Sequence, residues 1–152
     1  MKKLIFLLPV LLLLSCSKST VFSETLDDFE NNRWQRGDIK VFKFDVKNDI
    51  ASADIDLMFS HTFDPQYTLV PMDVAINRPD GTRNNMHINF MLQDNEGNNI
   101  SDCAGDVCDI KMNIIDNKKM DKGTYTITVE SKFYGAYLPN ILALGINVEN
   151  ND

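Results

Sequence analysis

Few residues in this 152-residue chain have a type and spacing that could do chemistry, and its three cysteines, Cys16, Cys103 and Cys108, come first. Cys103 and Cys108 bracket Ala104-Gly105-Asp106-Val107, and Gly105 permits a tight return of the chain. In an exported domain such an even pair reads as a disulfide. The loop it closes is short, and chain entropy makes the bond worth roughly 2 kcal/mol. The competing use is a metal site built from both thiolates and the nearby aspartates. Structural zinc takes four nitrogen or sulfur ligands, and neither histidine, His61 nor His87, is near in sequence, so the disulfide Cys103–Cys108 is predicted and no metal.

No nucleophile elbow and no His-Glu-x-x-His pair occurs. His61 and His87 read as surface or rim residues. Carboxylates are plentiful, but none is singled out as one of the pair that glycoside hydrolysis needs. Asp94-Asn95-Glu96-Gly97-Asn98-Asn99 offers oxygen ligands, yet its glycine falls fourth where a calcium loop places it sixth, so a hairpin turn is predicted. The expectation is a non-enzymatic protein with no cofactor and no evident small-molecule substrate. One aromatic set invites a binding role: Trp34, Phe133, Tyr134 and Tyr137, with Tyr67 as a fifth ring. Phe133-Tyr134-Gly135-Ala136-Tyr137-Leu138-Pro139 is too apolar for a routine exposed loop. Its plainest reading is a cover over one end of the core. The second is a contact patch for another protein, and the third a stacking platform for glycans.

Cys16 is a different case. Met1-Lys2-Lys3 is followed by an apolar run of 11 residues, Leu4 to Leu14. A positive start and a run this short match a secretory signal, since crossing the bilayer core takes about 20 apolar residues. The run ends Leu13-Leu14-Ser15-Cys16, which resembles the bacterial lipobox. The alternative is an ordinary signal peptide with a chance cysteine. The resemblance implies that the Cys16 thiol takes a diacylglycerol, the bond before it is cut, and the new amine can be acylated too. Two or more acyl chains hold a protein on a membrane stably without spanning it. Ser17 in the second mature position resembles release to the outer membrane. Residues 1–15 are then the signal, 16–26 the acylated cysteine and a polar tether, and 27–152 the folded domain.

Cleavage would leave 137 residues, enough for one core. It would lower Lys+Arg from 15 to 13 against 22 Asp+Glu, a net charge of about −9. Such acidity argues against nucleic acid or anionic lipid headgroups as partners.

The elements that must position these residues are strands. Apolar residues recur at every second position in Ile39–Val46 (Phe42, Phe44, Val46), Asp54–Phe59, Tyr67–Asn77, Met86–Gln93, Val107–Ile115, Thr124–Glu130 and Ile141–Val148. Period-two runs of this kind mark half-buried strands. Arg78-Pro79-Asp80-Gly81-Thr82, Asp94–Asn98 and Lys122-Gly123 punctuate them as turns. No 12-residue amphipathic helix appears. The expected architecture is an all-β antiparallel sandwich of seven to eight strands, Ig-like or jelly-roll.

The order of several short motifs resembles one family. After the lipobox come Phe29 and Trp34, the strand Ile39–Val46, Pro79-Asp80-Gly81, and Ile88-Asn89-Phe90-Met91-Leu92-Gln93-Asp94 leading to Gly97. Lys122-Gly123-Thr124-Tyr125-Thr126-Ile127, Leu138-Pro139-Asn140-Ile141 and Leu144-Gly145-Ile146-Asn147-Val148-Glu149 follow. In this order they resemble GldH, the gliding-motility lipoproteins of Bacteroidetes. The resemblance implies a lipid-anchored, non-enzymatic component of an envelope gliding or secretion apparatus, with envelope proteins as partners. The rival expectation is a glycan-binding or adhesin-like surface lipoprotein.

Overall fold

The computed structural model describes residues 18–151. The strands are β1 Ser19–Leu26, β2 Arg33–Gln35, β3 Ile39–Val46, β4 Ile50–Thr62, β5 Leu69–Asn77, β6 Arg83–Met91, β7 Asp102–Ala104, β8 Val107–Met120, β9 Gly123–Ser131, β10 Tyr137–Pro139 and β11 Ile141–Asn150. One 3-10 turn, Glu30–Asn32, precedes β2. A five-stranded sheet, β1-β11-β4-β8-β7, faces a four-stranded sheet, β3-β9-β5-β6, and β2 pairs with β10 in a small ribbon. All pairings are antiparallel. The fold is the expected all-β sandwich.

The residues dictate the faces. In β3, exposed Ile39, Val41, Lys43 and Asp45 alternate with buried Lys40, Phe42, Phe44 and Val46, the signature of a strand with one face on a core. The two sheets close on each other through rings. Phe22 of β1 stacks on Phe44 of β3 at 4.6 Å, and Phe59 of β4 meets Phe90 of β6 at 5.6 Å. β4 is central in the five-stranded sheet. Ile55, Leu57 and Phe59 point into the core, while Asp54 and Asp56 are buried on the other side. A buried carboxylate needs partners. Asp54 accepts from the Asn117 amide at 2.9 Å and from Lys18 Nζ at 2.9 Å. Asp56 accepts from Asn113 Nδ2 at 3.0 Å and pairs with Lys111 at 3.2 Å.

All seven expected strands form. Four more were not foreseen, and they correct the strand count. β2, β7 and β10 have only three residues each, too few to show a period. β1 corrects the tether: Ser19–Leu26 is a strand on the edge of the larger sheet, paired with β11. Its polar character concealed this, because a bulge between Thr20 and Phe22 breaks the alternation. The readings at Cys16 and residues 1–15 lie outside the described residues.

Antiparallel pairing gives the sandwich two unlike ends. β1 begins beside Asn150, the last residue of β11, and β11 pairs there with Ala53 near the start of β4. This near end carries the tight turns at residues 47–49, 78–82 and 121–122. The far end, about 40 Å away along the 13 residues of β4, carries the long connections 27–38, 63–68, 92–101 and 132–136, with the β7–β8 hairpin.

Candidate interaction site

The far end is built on Trp34. Its ring is fully buried. In the β2–β10 ribbon it lies opposite the equally buried Leu138, and Nε1–H donates to the Asp38 carbonyl at 2.7 Å. Phe29 packs beside it at 5.8 Å, and Lys40 Nζ lies 4.6 Å from the centre of the Phe29 ring while pairing with Asp28 and Asp38. Trp34 therefore offers no surface to a partner. A large ring with one donor lowers its free energy most by filling the core with that donor satisfied.

His61 is also corrected. It is buried, not at the rim. Nδ1 lies 2.7 Å from the Thr62 carbonyl oxygen, which can only accept, so the proton sits on Nδ1. Nε2 lies 2.8 Å from Ser101 Oγ and in the neutral ring accepts the hydroxyl proton. His61 thus ties the 92–101 connection to β4. Directly opposite His61 in the ladder is buried Cys108, joined to Cys103 by the expected disulfide across β7 and β8. At the tip of that hairpin the Asp106 carbonyl accepts the Phe63 amide at 3.0 Å. The disulfide hairpin holds the 63–68 connection from below, although Asp64 and Gln66 lie at positive φ.

On this scaffold stand the exposed rings. Phe63 is 62% and Tyr134 86% exposed. Phe133 is half-buried, 5.5 Å from Tyr67 and 4.7 Å from Tyr134. Tyr67 donates its hydroxyl proton to the Pro139 carbonyl at 2.9 Å, and burial pushes that phenol up. Tyr137 is half-buried beneath the Arg33 guanidinium, 4.5 Å from its ring centre. Tyr67, Leu69, Pro71, Lys132, Phe133 and Tyr134 border a cleft of about 400 Å³. Neighbouring rings are tilted by 60° and 33°, so they make no flat platform for a sugar. Of eight exposed large apolar side chains among the described residues, six lie at this end: Phe63, Leu69, Met91, Ile100, Val107 and Tyr134. The far-end connections carry Asp27, Asp28, Glu30, Asp38, Asp64, Asp94, Glu96, Asp102 and Asp106 against Arg33, Arg36 and Lys132.

Phe133 and Tyr134 were legible in the sequence as candidates. Phe63 and Ile100 were missed, because a single apolar residue in a polar connection carries no periodic signal. The Asp94 turn closes as a hairpin: its side chain accepts the amides of Glu96 and Asn98, both at 2.9 Å. The Asn98 side-chain amide, with these backbone bonds, holds the Asp94 carboxyl below the usual range. His87 is exposed and sits 2.7 Å from Asp73. A larger groove, about 550 Å³, opens on the outer face of the five-stranded sheet along Met58, Ser60, Asp109, Lys111 and Gly145. Two polar pairs are made within it: Ser60 donates to Asp109, and Lys111 pairs with Asp56.

Comparison with known proteins gives faint structural likeness and a clear family. A serine protease–chaperone complex of Aeromonas sobria superposes with a TM-score of 0.41 at 10% identity over 90% of this chain and 27% of that one. PorU from Porphyromonas gingivalis gives 0.40 at 12% over 85% and 13%. A family 35 carbohydrate binding module from Clostridium thermocellum gives 0.36 at 11% over 81% and 97%. The chain thus spans about a quarter or less of the first two, and scores this low carry no functional argument. No curated protein matches the sequence significantly. The family model for GldH lipoprotein matches residues 21–148, nearly all of the folded domain. The chain belongs to the GldH lipoprotein family.

Proposed function

We propose that this lipoprotein is held in the outer membrane by acyl chains on Cys16. It serves as a non-enzymatic component of an envelope gliding or secretion apparatus, and it docks a partner protein with its far end. One observation carries the reading: the exposed apolar side chains gather at the end opposite the start of β1. Lys18 is tied to Asp54, and in sequence Ser17 alone separates it from Cys16. The near end then rests at the bilayer and the far end faces away from it. Exposed aromatics are the side chains that most often anchor protein interfaces. The surrounding carboxylates select a partner with a Lys- or Arg-rich rim. Acylation raises the effective concentration beside other membrane-held proteins without adding a contact.

The test is photo-crosslinking in the native envelope, with the crosslinker placed at Tyr134 or, as a control, at Lys47 on the near end. The expected result is one discrete protein adduct, a gliding or secretion component, from Tyr134 only, weakened by salt. Equal protein adducts from both positions would overturn the orientation. Cys16→Ala is expected to abolish palmitate labelling and membrane fractionation, and retained labelling would refute the anchor.

A further inference from the structure

The sandwich has four long sheet edges, and three of them are guarded. β1 has a bulge and places Glu24 on the core side opposite Ile146. β3 turns Lys40 inward and carries Lys43 outward. β8 has register shifts against β4, carries Lys111, Lys118 and Lys119, and is covered at its start by β7. Bulges, lysines and inward charges are the usual devices that keep a sheet edge from recruiting another strand. β6 has none of them. Its nine residues, Arg83-Asn84-Asn85-Met86-His87-Ile88-Asn89-Phe90-Met91, pair with β5 in unbroken register. They include no lysine, no proline and no carboxylate.

The direction of the free backbone groups follows from parity. The Leu92 amide donates to Thr68 and the Arg78 amide to Thr82, so even-numbered residues of β6 face β5. The amides and carbonyls of Arg83, Asn85, His87, Asn89 and Met91 therefore point away from the sheet. The layers are also unequal, five strands over four. Because β1 and β3 share one flank, β6 and β8 share the other, where the smaller sheet is one strand short. There the core-side residues of both edges, Met86 and Ile88 on β6 and Ile110 and Met112 on β8, are only half-buried.

We infer that the β6 edge takes an extended segment of another protein as a fifth strand of the smaller sheet. The segment carries apolar side chains at every second position, which cover Met86, Ile88, Ile110 and Met112. Main-chain bonds supply affinity and the alternate side chains supply selectivity. A second copy of this chain is not the occupant. Antiparallel pairing of β6 with itself about His87 turns the two bodies end for end and sends their β1 entries in opposite directions.

The test uses the acylated protein in detergent micelles and a synthetic peptide, Lys-Thr-Val-Thr-Val-Thr-Val-Thr-Lys, with residue-resolved hydrogen exchange. The expected result is slowing by about tenfold or more at the amides of Asn85, His87 and Asn89, and no slowing with a scrambled peptide that groups its valines. Asn85→Pro with Asn89→Pro removes two outward N–H groups while sparing the β5 ladder, and is expected to abolish the effect. Should that variant not fold, Met86→Gln with Ile88→Thr is expected to weaken it. Equal protection by the scrambled peptide, protection at β1 or β3 instead, or no protection at all would overturn the inference. So would β6 protection in a concentration-dependent dimer without peptide.

Discussion

The near and far ends of this sandwich solve opposite problems with the same strands. At the near end, short turns are satisfied by side chains of the same turn or of the adjoining one. Asp80 accepts the Thr82 amide at 2.8 Å and its hydroxyl proton at 2.6 Å, and Asp49 accepts the Lys122 amide at 2.7 Å. Gly123 packs so closely on Pro79 that a Cβ would sit 2.5 Å from the proline ring. At the far end, connections are long and are held by remote groups: His61, the disulfide, Tyr67 and the Trp34 ribbon. Local satisfaction makes a compact end. Remote satisfaction leaves loop side chains such as Phe63 and Tyr134 free to stand in solvent, which is where binding residues tend to lie.

The sharpest way to break this contrast is Trp34→Ala. It empties the base of the far end and is expected to cost about 3–5 kcal/mol, read as a fall in melting temperature. A loss under 1 kcal/mol would mean that the ribbon does not support that end. Replacing both Cys103 and Cys108 with Ala is expected to cost about 2 kcal/mol. Hydrogen exchange should rise in residues 63–68 and 92–106 while the 78–82 turn is unchanged; a uniform rise would erase the distinction between the ends.

Acid probes the near end. The Asn117 amide, Lys18 and Asn151 hold the Asp54 carboxyl down at about 2, against an ordinary value of 3.8. A depressed carboxyl contributes its full stability above its unfolded value and loses it as pH falls toward the folded one. Wild type is therefore expected to exceed Asp54→Asn in melting temperature at neutral pH, with the gap closing between about pH 4 and pH 2. A constant gap would remove Asp54 as the clasp on Lys18. The smallest effect belongs to Tyr134→Ala, expected to shift stability by less than about 0.5 kcal/mol while abolishing the partner adduct of the far end. A large loss of stability would show the ring to be structural.

Strand identity was legible because it is written locally. Phe42, Phe44 and Val46, or Leu142 to Val148, announce a strand by alternation that no distant residue can alter. The Pro79-Asp80-Gly81 turn and the Cys103–Cys108 bond were legible for the same reason, since each closes within a few residues. β1 was not, because its pairing depends on β11, more than a hundred residues away, and a bulge hides its period. His61 and Trp34 were misplaced because chemical type does not reveal burial. A histidine and a tryptophan enter a core when a carbonyl or hydroxyl happens to be there to receive them.

By itself, then, the amino-acid order determined the all-β class, seven of the eight long strands, the tight turns and the disulfide, all through contacts between near neighbours. The tertiary structure alone decided which aromatics reach solvent, that the long connections share one end, and that β6 is left with an open edge. These depend on how strands far apart in the chain are ordered within two sheets, and loop-closing contacts of that range leave no periodic trace in the residues that make them.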